Sequence, residues 1–242
     1  MKYLRPLVAI LAAFALTYSM PAIAPLSEFS RFDVAAAVLF AAIFGIFAAL
    51  AVSRRERLKE AVALELNKIR RIYHLGKNLS GGAYVRAWFT QLHGFIYDYL
   101  GSFDKTSLAD YERGNAAFRK MAYHIYALPE IREVKEEALY NGLLAAAGEV
   151  SEARQKISGL LKARFYTSHW FELAVALVLF VVSVLGSTSE APGSRLVTFA
   201  TLSLGLLLAN FYFSHDVWTA ESDRALSAEY VKNIGRLELR RE

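Results

Sequence analysis

The stretch Val34–Val52, VAAAVLFAAIFGIFAALAV, is nineteen residues without a charge, and the basic run SRRERLK follows it directly at residues 53–59. A helix of nineteen residues at 1.5 Å per residue covers about 28 Å, close to the ~30 Å hydrocarbon core of a bilayer. The sequence therefore predicts a membrane-spanning helix here, ending at a charged boundary.

Three further apolar stretches have a similar length: Leu7–Leu26, Trp170–Gly186 and Leu196–Phe213. Glu172 is the only charged residue in the four stretches, and it lies near an end. Two stretches lie on each side of a polar middle segment. We therefore predict an all-α membrane protein with four transmembrane helices, two N-terminal and two C-terminal, and a cytoplasmic helical domain between the pairs.

The positions of the basic residues predict the orientation of these spans. The loops expected on the outer side hold only Arg31 and Arg195, together with acidic residues. By the positive-inside rule both termini and the middle segment are cytoplasmic, in the inner (plasma) membrane. The cations that flank the spans on the predicted inner side are Lys2, Arg5, Arg54, Arg55, Arg57, Lys59, Lys162, Arg164 and Arg224.

These boundaries predict four parts of the chain. Residues 1–52 form an N-terminal transmembrane hairpin, 53–169 a cytoplasmic helical domain, 170–213 a C-terminal transmembrane hairpin and 214–242 a cytoplasmic helix. An alternative for the first span is a signal peptide, since a basic start, an apolar run and Ala22-Ile23-Ala24 also describe one. Pro25 would directly follow the cut, which disfavours cleavage, so we expect residues 1–24 to be retained.

The middle segment shows helical periodicity throughout. Leu58, Val62, Leu66 and Ile69 recur at intervals of three and four, which predicts one buried stripe on a charged helix. Later helices follow the same pattern, and Asp104–Ser107 provides caps for one of them. We expect Tyr111, Tyr123 and Tyr126 to form an exposed tyrosine-rich face suited to a protein partner.

Catalytic and cofactor motifs are not found in the sequence. It has no cysteine, no phosphate-binding glycine loop and no His-Glu-x-x-His pattern. His169 and His215, at the ends of two spans, are interpreted as interfacial polar residues rather than metal ligands. We therefore predict no enzyme activity, no cofactor, no metal and no catalytic residue. The net charge of +5 is explained by topology, so we predict no nucleic-acid partner.

The predicted spans carry two kinds of pattern. Small residues four apart let helix backbones approach closely in lipid, which predicts a tight bundle or a homo-oligomer. A phenylalanine stripe on the second span and polar groups on the fourth are candidate pore-lining residues. The packing candidates are Ala37, Ala41, Gly45, Ala49 and Gly205, and the pore candidates are Phe40, Phe44, Phe47, Thr198, Thr201 and Asn210.

The runs LNKIRRIY at residues 66–73 and LHGFIYDYL at residues 92–100 resemble the bestrophin-like family of bacterial membrane proteins. The resemblance covers most of the chain. Bestrophins proper are pentameric anion channels with a hydrophobic neck lined by the second transmembrane helix, so the resemblance implies that Phe40, Phe44 and Phe47 face a pore. The chain lacks an acidic cluster resembling the bestrophin calcium clasp, so calcium gating is not implied.

A shorter resemblance covers about the last 75 residues. The final hairpin, followed by Arg224, Glu229, Tyr230 and Leu237, is similar to two-helix SLATT-type membrane effector domains, which are proposed to form pores. Two functional hypotheses remain: an oligomeric channel or pore, and a non-catalytic membrane-anchored scaffold or sensor that binds a cytoplasmic protein. A motor subunit is disfavoured because no carboxylate lies at mid-membrane depth.

Overall fold

The computed structural model describes residues 4–19, 33–79, 83–104, 108–127, 134–162, 167–188, 192–213 and 215–237. Within these ranges the chain is all-helical. The helices are α1 (Leu4–Ser19), α2 (Asp33–Leu79), α3 (Ala83–Gly101), a 3-10 helix (Leu108–Gly114), α4 (Asn115–Tyr126), α5 (Val134–Lys162), α6 (Thr167–Gly186), α7 (Pro192–Phe213) and α8 (His215–Arg236).

The chain divides into two compact units. The apolar unit comprises Met1–Ser53 and Phe165–Val217, and the polar unit comprises Arg54–Arg164 and Trp218–Glu242. Each unit has its own hydrophobic core. Tyr230 and Leu237 belong to the core of the polar unit, so the C-terminal segment predicted as a separate cytoplasmic helix packs with the middle segment.

Two of the described helices are apolar and long enough to cross a bilayer. They are α2, through its N-terminal half, and α7, through Gly193–Asn210. Two shorter apolar helices lie at Pro6–Ser19 and Phe171–Gly186. These features indicate membrane association, whereas the four-span arrangement remains a prediction. The predicted cleavage motif at residues 22–24 lies outside the described residues.

Helix α2 continues for 47 residues, about 70 Å, through the end of the apolar stretch. Its second half buries Leu58, Val62, Leu66 and Ile69, as the periodicity predicts. These side chains pack with Trp88, Leu92 and Ile96 of α3 and with Val150 and Ile157 of α5 in one core. The amphipathic half of α2 is thus stabilised by burial of this stripe.

The segment before α4 differs from the predicted capped α-helix. A 3-10 helix occupies residues 108–114, and α4 begins only at Asn115. With three residues per turn, positions 111 and 114 fall on one face, and Tyr111 and Gly114 are both buried. Gly114 allows this, because a Cβ there would lie 2.9 Å from Cζ of Phe103. A kink at Asp110, where the backbone is not helical, separates this turn from Leu108, which is also buried. The predicted caps at residues 105–107 lie outside the described residues.

The prediction of an exposed tyrosine-rich face is consequently wrong at one of its three positions. Tyr111 is only 2% exposed, whereas Tyr123 and Tyr126 are 69% and 58% exposed. The kink at Asp110 and the 3-10 turn that follows it place Tyr111 and Gly114 on the buried side of the segment. Only Tyr123 and Tyr126 remain available to a partner in the predicted set.

In the apolar unit, α7 packs against both α1 and α6. The ring of Phe180 on α6 stacks on Phe40 of α2 with centroids 4.8 Å apart. Gly205 of α7 is buried directly under the same Phe180 ring, and a Cβ at this position would overlap it. The small residue at position 205 therefore allows α6 and α7 to approach closely, as small residues do in membrane bundles.

We predict that Gly205→Ala destabilises the protein by about 1–3 kcal/mol, because the added methyl group displaces the buried Phe180 ring. Gly193→Ala, on the same helix, is the matched control, since no atom lies within 4 Å of a Cβ at that position. The measurement is the melting temperature of the purified protein in detergent, followed by loss of the monodisperse gel-filtration peak. Equal melting of Gly205→Ala and wild type would contradict the tight α6–α7 contact.

Candidate functional site

A charged cluster lies inside the core of the polar unit. Its centre is the carboxylate of Glu65 on α2, whose side chain is fully buried. Arg154 on α5 is 5% exposed and forms the ion pair with Glu65, with Nη1 3.4 Å from Oε1. Charged side chains are rarely buried unless they are paired, so this pair is the most unusual chemistry among the described residues.

Three tyrosine hydroxyls surround the Glu65 carboxylate. Tyr111 donates to Oε2 at 2.7 Å and Tyr230 donates to the same oxygen at 2.5 Å. Tyr99 donates to Oε1, and Arg154 Nη1 donates to the Tyr99 hydroxyl oxygen. Both carboxylate oxygens therefore have donors, and the distances to Oε2 are those of charge-assisted hydrogen bonds.

Aromatic rings enclose the guanidinium group of Arg154. Its Cζ lies 5.0 Å from the ring centroid of Tyr99, 4.7 Å from that of Tyr111 and 4.6 Å from that of Phe118. These are cation–π distances, and such contacts strengthen when the cation is removed from water. Nη2 also donates to Oδ1 of Asn115 at 2.6 Å. Arg154 is thus held by a carboxylate, an amide oxygen and three ring faces.

Burial dominates the electrostatics of the cluster. It raises the pKa of the Glu65 carboxyl above its usual value, while Arg154 and the tyrosine hydroxyls oppose that rise. Burial and the adjacent carboxylate raise the pKa of Tyr99 and Tyr230 well above the usual tyrosine value, and that of Tyr111 in the same direction. The three hydroxyls consequently stay protonated and act as donors to Glu65.

The cluster joins five helical elements of the polar unit. Glu65 belongs to α2, Tyr99 to α3, Tyr111 to the 3-10 helix, Arg154 to α5 and Tyr230 to α8. Because each polar group requires the others once buried, the elements cannot separate individually without leaving a charge or hydroxyl unpaired. The arrangement fixes one mutual packing of these helices. The cluster is enclosed from solvent, so it is poorly placed to react with a dissolved substrate.

Further polar contacts attach α2 to the same neighbours. Lys68 Nζ lies 2.5 Å from Oε2 of Glu149 on α5, and Arg70 Nη2 donates to Oδ1 of Asn233 on α8 at 3.1 Å. Arg54 donates through Nε and Nη2 to carbonyl oxygens at the end of α5, those of residues 160 and 161. A basic side chain at a helix C-terminus satisfies carbonyls that have no partner within the helix.

The interaction between α3 and α4 has a reciprocal hydrogen bond. Trp88 Nε1 donates to the backbone oxygen of His124 at 3.0 Å, and His124 Nε2 lies 2.9 Å from the backbone oxygen of Trp88. The two rings stack with centroids 5.3 Å apart. His124 therefore has a packing role. Among the described residues, no group of three or more histidine and acidic side chains could hold a metal ion.

The predicted pore residues of α2 lie against neighbouring helices. Phe40 and Phe47 are buried, Phe40 against Phe180 and Phe47 against Leu173 of α6. Phe44 is partly buried beside Phe47. These rings therefore do not form an exposed face of the single chain, and their assignment to a pore remains a prediction.

The predicted polar groups of α7 are mostly turned inward. Thr198 is buried, and its hydroxyl lies 3.1 Å from that of Thr188. Thr201 and Asn210 are both half-buried, and Asn210 has an interaction partner. This placement fits hydrogen bonding within the chain, while a role in lining a pore is untested.

The predicted packing residues fall into two groups. Gly205 and Ala37 lie in or against the apolar core. Ala41, Gly45 and Ala49 follow Ala37 along α2 at intervals of four residues and are exposed in the single chain. We call this second group the small-residue face of α2. At Gly45 no other described residue of the chain covers this face.

Glu65 and Arg154 were not predicted from the sequence as members of a site. Both fall in the buried stripes of their helices: Glu65 lies between Val62 and Ile69, and Arg154 between Val150 and Ile157. A charged residue at a core position of the helical period is the signal that could have found them. Tyr99 lies on the buried face of α3, but its partners could not be known from one helix.

The fold and the apolar helices define a helical protein associated with membranes. A family model described as the Bestrophin-like domain matches residues 32–217. The chain therefore belongs to the bestrophin-like family, as its motifs suggested. No curated protein and no solved structure matches it significantly.

We predict that Arg154→Met lowers the stability of the polar unit by about 3–5 kcal/mol at neutral pH, because it leaves the Glu65 charge buried without its cation. The loss of the cation also raises the folded pKa of Glu65 further. A carboxyl with a higher pKa in the folded state binds its proton more tightly when folded. Stability is then greatest below the unfolded pKa of about 4.3 and falls as the pH rises through the folded pKa.

The measurement is thermal unfolding in detergent, monitored by tryptophan fluorescence, at pH 5 and pH 8. Arg154→Met should lose more stability relative to wild type at pH 8 than at pH 5. The double variant Glu65→Gln/Arg154→Met has neither buried charge and should recover part of the loss. A single variant that melts with wild type at both pH values would show that the ion pair is dispensable.

Proposed function

We propose that the protein is a multi-pass protein of the inner (plasma) membrane that assembles as a homo-oligomer and conducts ions. The observation that carries this proposal is the bestrophin-like domain, which extends over α2 and the two C-terminal apolar helices. Bestrophins proper are oligomeric anion channels, so chloride is the first ion to test. The proposal includes four spans with both termini in the cytoplasm.

The distribution of small residues on α2 supports an assembly of several copies. The Phe40 and Phe47 side is occupied by contacts within the chain, while Ala41, Gly45 and Ala49 are exposed. In lipid, small residues favour close helix packing, so this face suits a second copy of α2. We therefore expect neighbouring copies to contact one another through the small-residue face of α2.

The polar unit has a supporting role in this proposal. Its buried cluster holds the C-terminal half of α2 in a fixed arrangement with α3, α5 and α8. A fixed extension of a pore-forming helix limits how that helix can rotate or slide. We expect no catalytic activity, cofactor or metal requirement, and no nucleic-acid partner.

The decisive experiment is ion flux in proteoliposomes that contain the purified protein, with chloride compared with potassium. We expect flux above that of protein-free liposomes. The chain has no cysteine, so Gly45→Cys introduces a unique thiol. If copies contact one another through the small-residue face, attachment of a thiol-reactive reagent to Gly45→Cys should disturb that contact and decrease flux, and the cysteine-free wild type should be unchanged.

Oxidative cross-linking in membranes tests the oligomer separately. Gly45→Cys should form disulfide-linked dimers, because the small-residue faces of neighbouring copies would be close. Phe40→Cys is the matched control and should not, since position 40 is buried against Phe180. Absence of flux from folded, inserted protein would contradict the channel. Absence of cross-links in both variants would contradict packing of copies through this face.

A second candidate function is a membrane-anchored scaffold or sensor. Tyr123 and Tyr126 are exposed one helical turn apart near the end of α4, which favours contact with a cytoplasmic protein. A photo-cross-linking amino acid at position 123 should then trap one defined partner in cells. The same probe at Glu152, an exposed position on α5, serves as the control. Equal products at both positions would contradict a specific partner surface.

A further inference from the structure

The segment of α2 directly beyond its apolar half is unusually basic. Arg54, Arg55, Arg57 and Lys59 follow Val52 within one uninterrupted helix. Five residues of rise separate Arg54 from Lys59, about 8 Å along the axis. The polar headgroup layer is roughly 5–8 Å thick on each side of the hydrocarbon core. The basic segment therefore has the position and the length of that layer.

Two of these cations have partners within the chain. Arg54 donates to carbonyl oxygens at the end of α5. Lys59 forms an ion pair with Glu56 at 2.7 Å. Because Arg54 and Lys59 already interact with groups of the chain, these two residues are not the best candidates for binding a ligand.

Arg55 and Arg57 differ from this pair. Arg55 is half-buried, and its Nε atom is buried without a hydrogen-bond acceptor among the described residues. Arg57 is exposed, and no ion pair joins it to another described side chain. No described side chain forms an ion pair with Arg55 or Arg57, so the positive charge of each guanidinium group is not neutralised within the described part of the chain. Arginine binds phosphate oxygens with a planar, two-pronged geometry.

The arrangement of the two arginines favours a bilayer surface over a soluble ion. Residues two apart on a helix point to different sides, so Arg55 and Arg57 do not converge on one point. A soluble phosphate would need such convergence. A layer of lipid headgroups surrounds the helix and can contact both side chains. Anionic leaflets attract basic residues that lie directly beyond a membrane helix.

We propose that Arg55 and Arg57 form a site for the headgroups of anionic phospholipids at the boundary of α2. The acidic residues Glu56 and Glu60 reduce the charge of the segment, so the site selects anionic lipid through these two arginines rather than through bulk charge. The proposal requires insertion of the apolar half of α2 and is independent of ion conduction. A protein without flux could still bind these lipids.

The test is native mass spectrometry of detergent-purified protein titrated with phosphatidylglycerol or phosphatidylcholine. Wild type should bind phosphatidylglycerol more tightly than phosphatidylcholine. The double variant Arg55→Gln/Arg57→Gln should lose about 25-fold in that affinity, roughly fivefold for each charge, and its preference for phosphatidylglycerol. The control Arg119→Gln/Lys120→Gln removes two exposed charges from α4 and should bind like wild type.

A fold control accompanies the titration. The melting temperature of each variant without lipid shows that it is folded, and Arg57→Gln alone, at an exposed position, should lose about fivefold. Equal binding of the two lipids to wild type would overturn the proposal. Equal loss in the α4 control would also overturn it, as would displacement of the lipid by millimolar inorganic phosphate, which would indicate a soluble-anion site.

Discussion

The ion pair between Glu65 and Arg154 is the constraint on which the polar unit depends. Removing two opposite charges from water is costly, and their attraction offsets that cost only with good geometry and additional hydrogen bonds. Here three tyrosine hydroxyls and Asn115 provide those bonds. Every helix that supplies a partner is consequently held in one register, because sliding it by a residue would leave a buried charge without its partner.

Helix packing depends on different interactions in the two units. In the apolar unit, contacts depend on shape: Gly205 receives the Phe180 ring, which in turn stacks on Phe40. In the polar unit, an apolar core surrounds a small number of buried polar groups, each of which requires a hydrogen-bond or ion-pair partner. This difference follows from the surroundings each unit is built for. Shape is the main source of specificity between apolar helices, whereas buried polar groups add specificity where water is the alternative partner.

Much of the helical organisation could be predicted from sequence, since apolar length and a period of 3.6 residues are local signals. The predicted stripe of Leu58, Val62, Leu66 and Ile69 is buried in the structure. The site could not be predicted in the same way. Its partners come from five elements, and Tyr111 was placed on the surface because the 3-10 period of its segment was not recognised.

The contact between Glu65 and Tyr230 joins residues 165 positions apart in the chain. A ribosome makes the carboxylate well before its tyrosine partner, which follows both C-terminal apolar helices in the chain. Until α8 emerges, the Glu65 side chain lacks one of its donors, and the core around it is incomplete. The polar unit therefore reaches its final packing only after α8 has been made, so its assembly is coupled in time to the appearance of α6 and α7, which precede α8 in the chain.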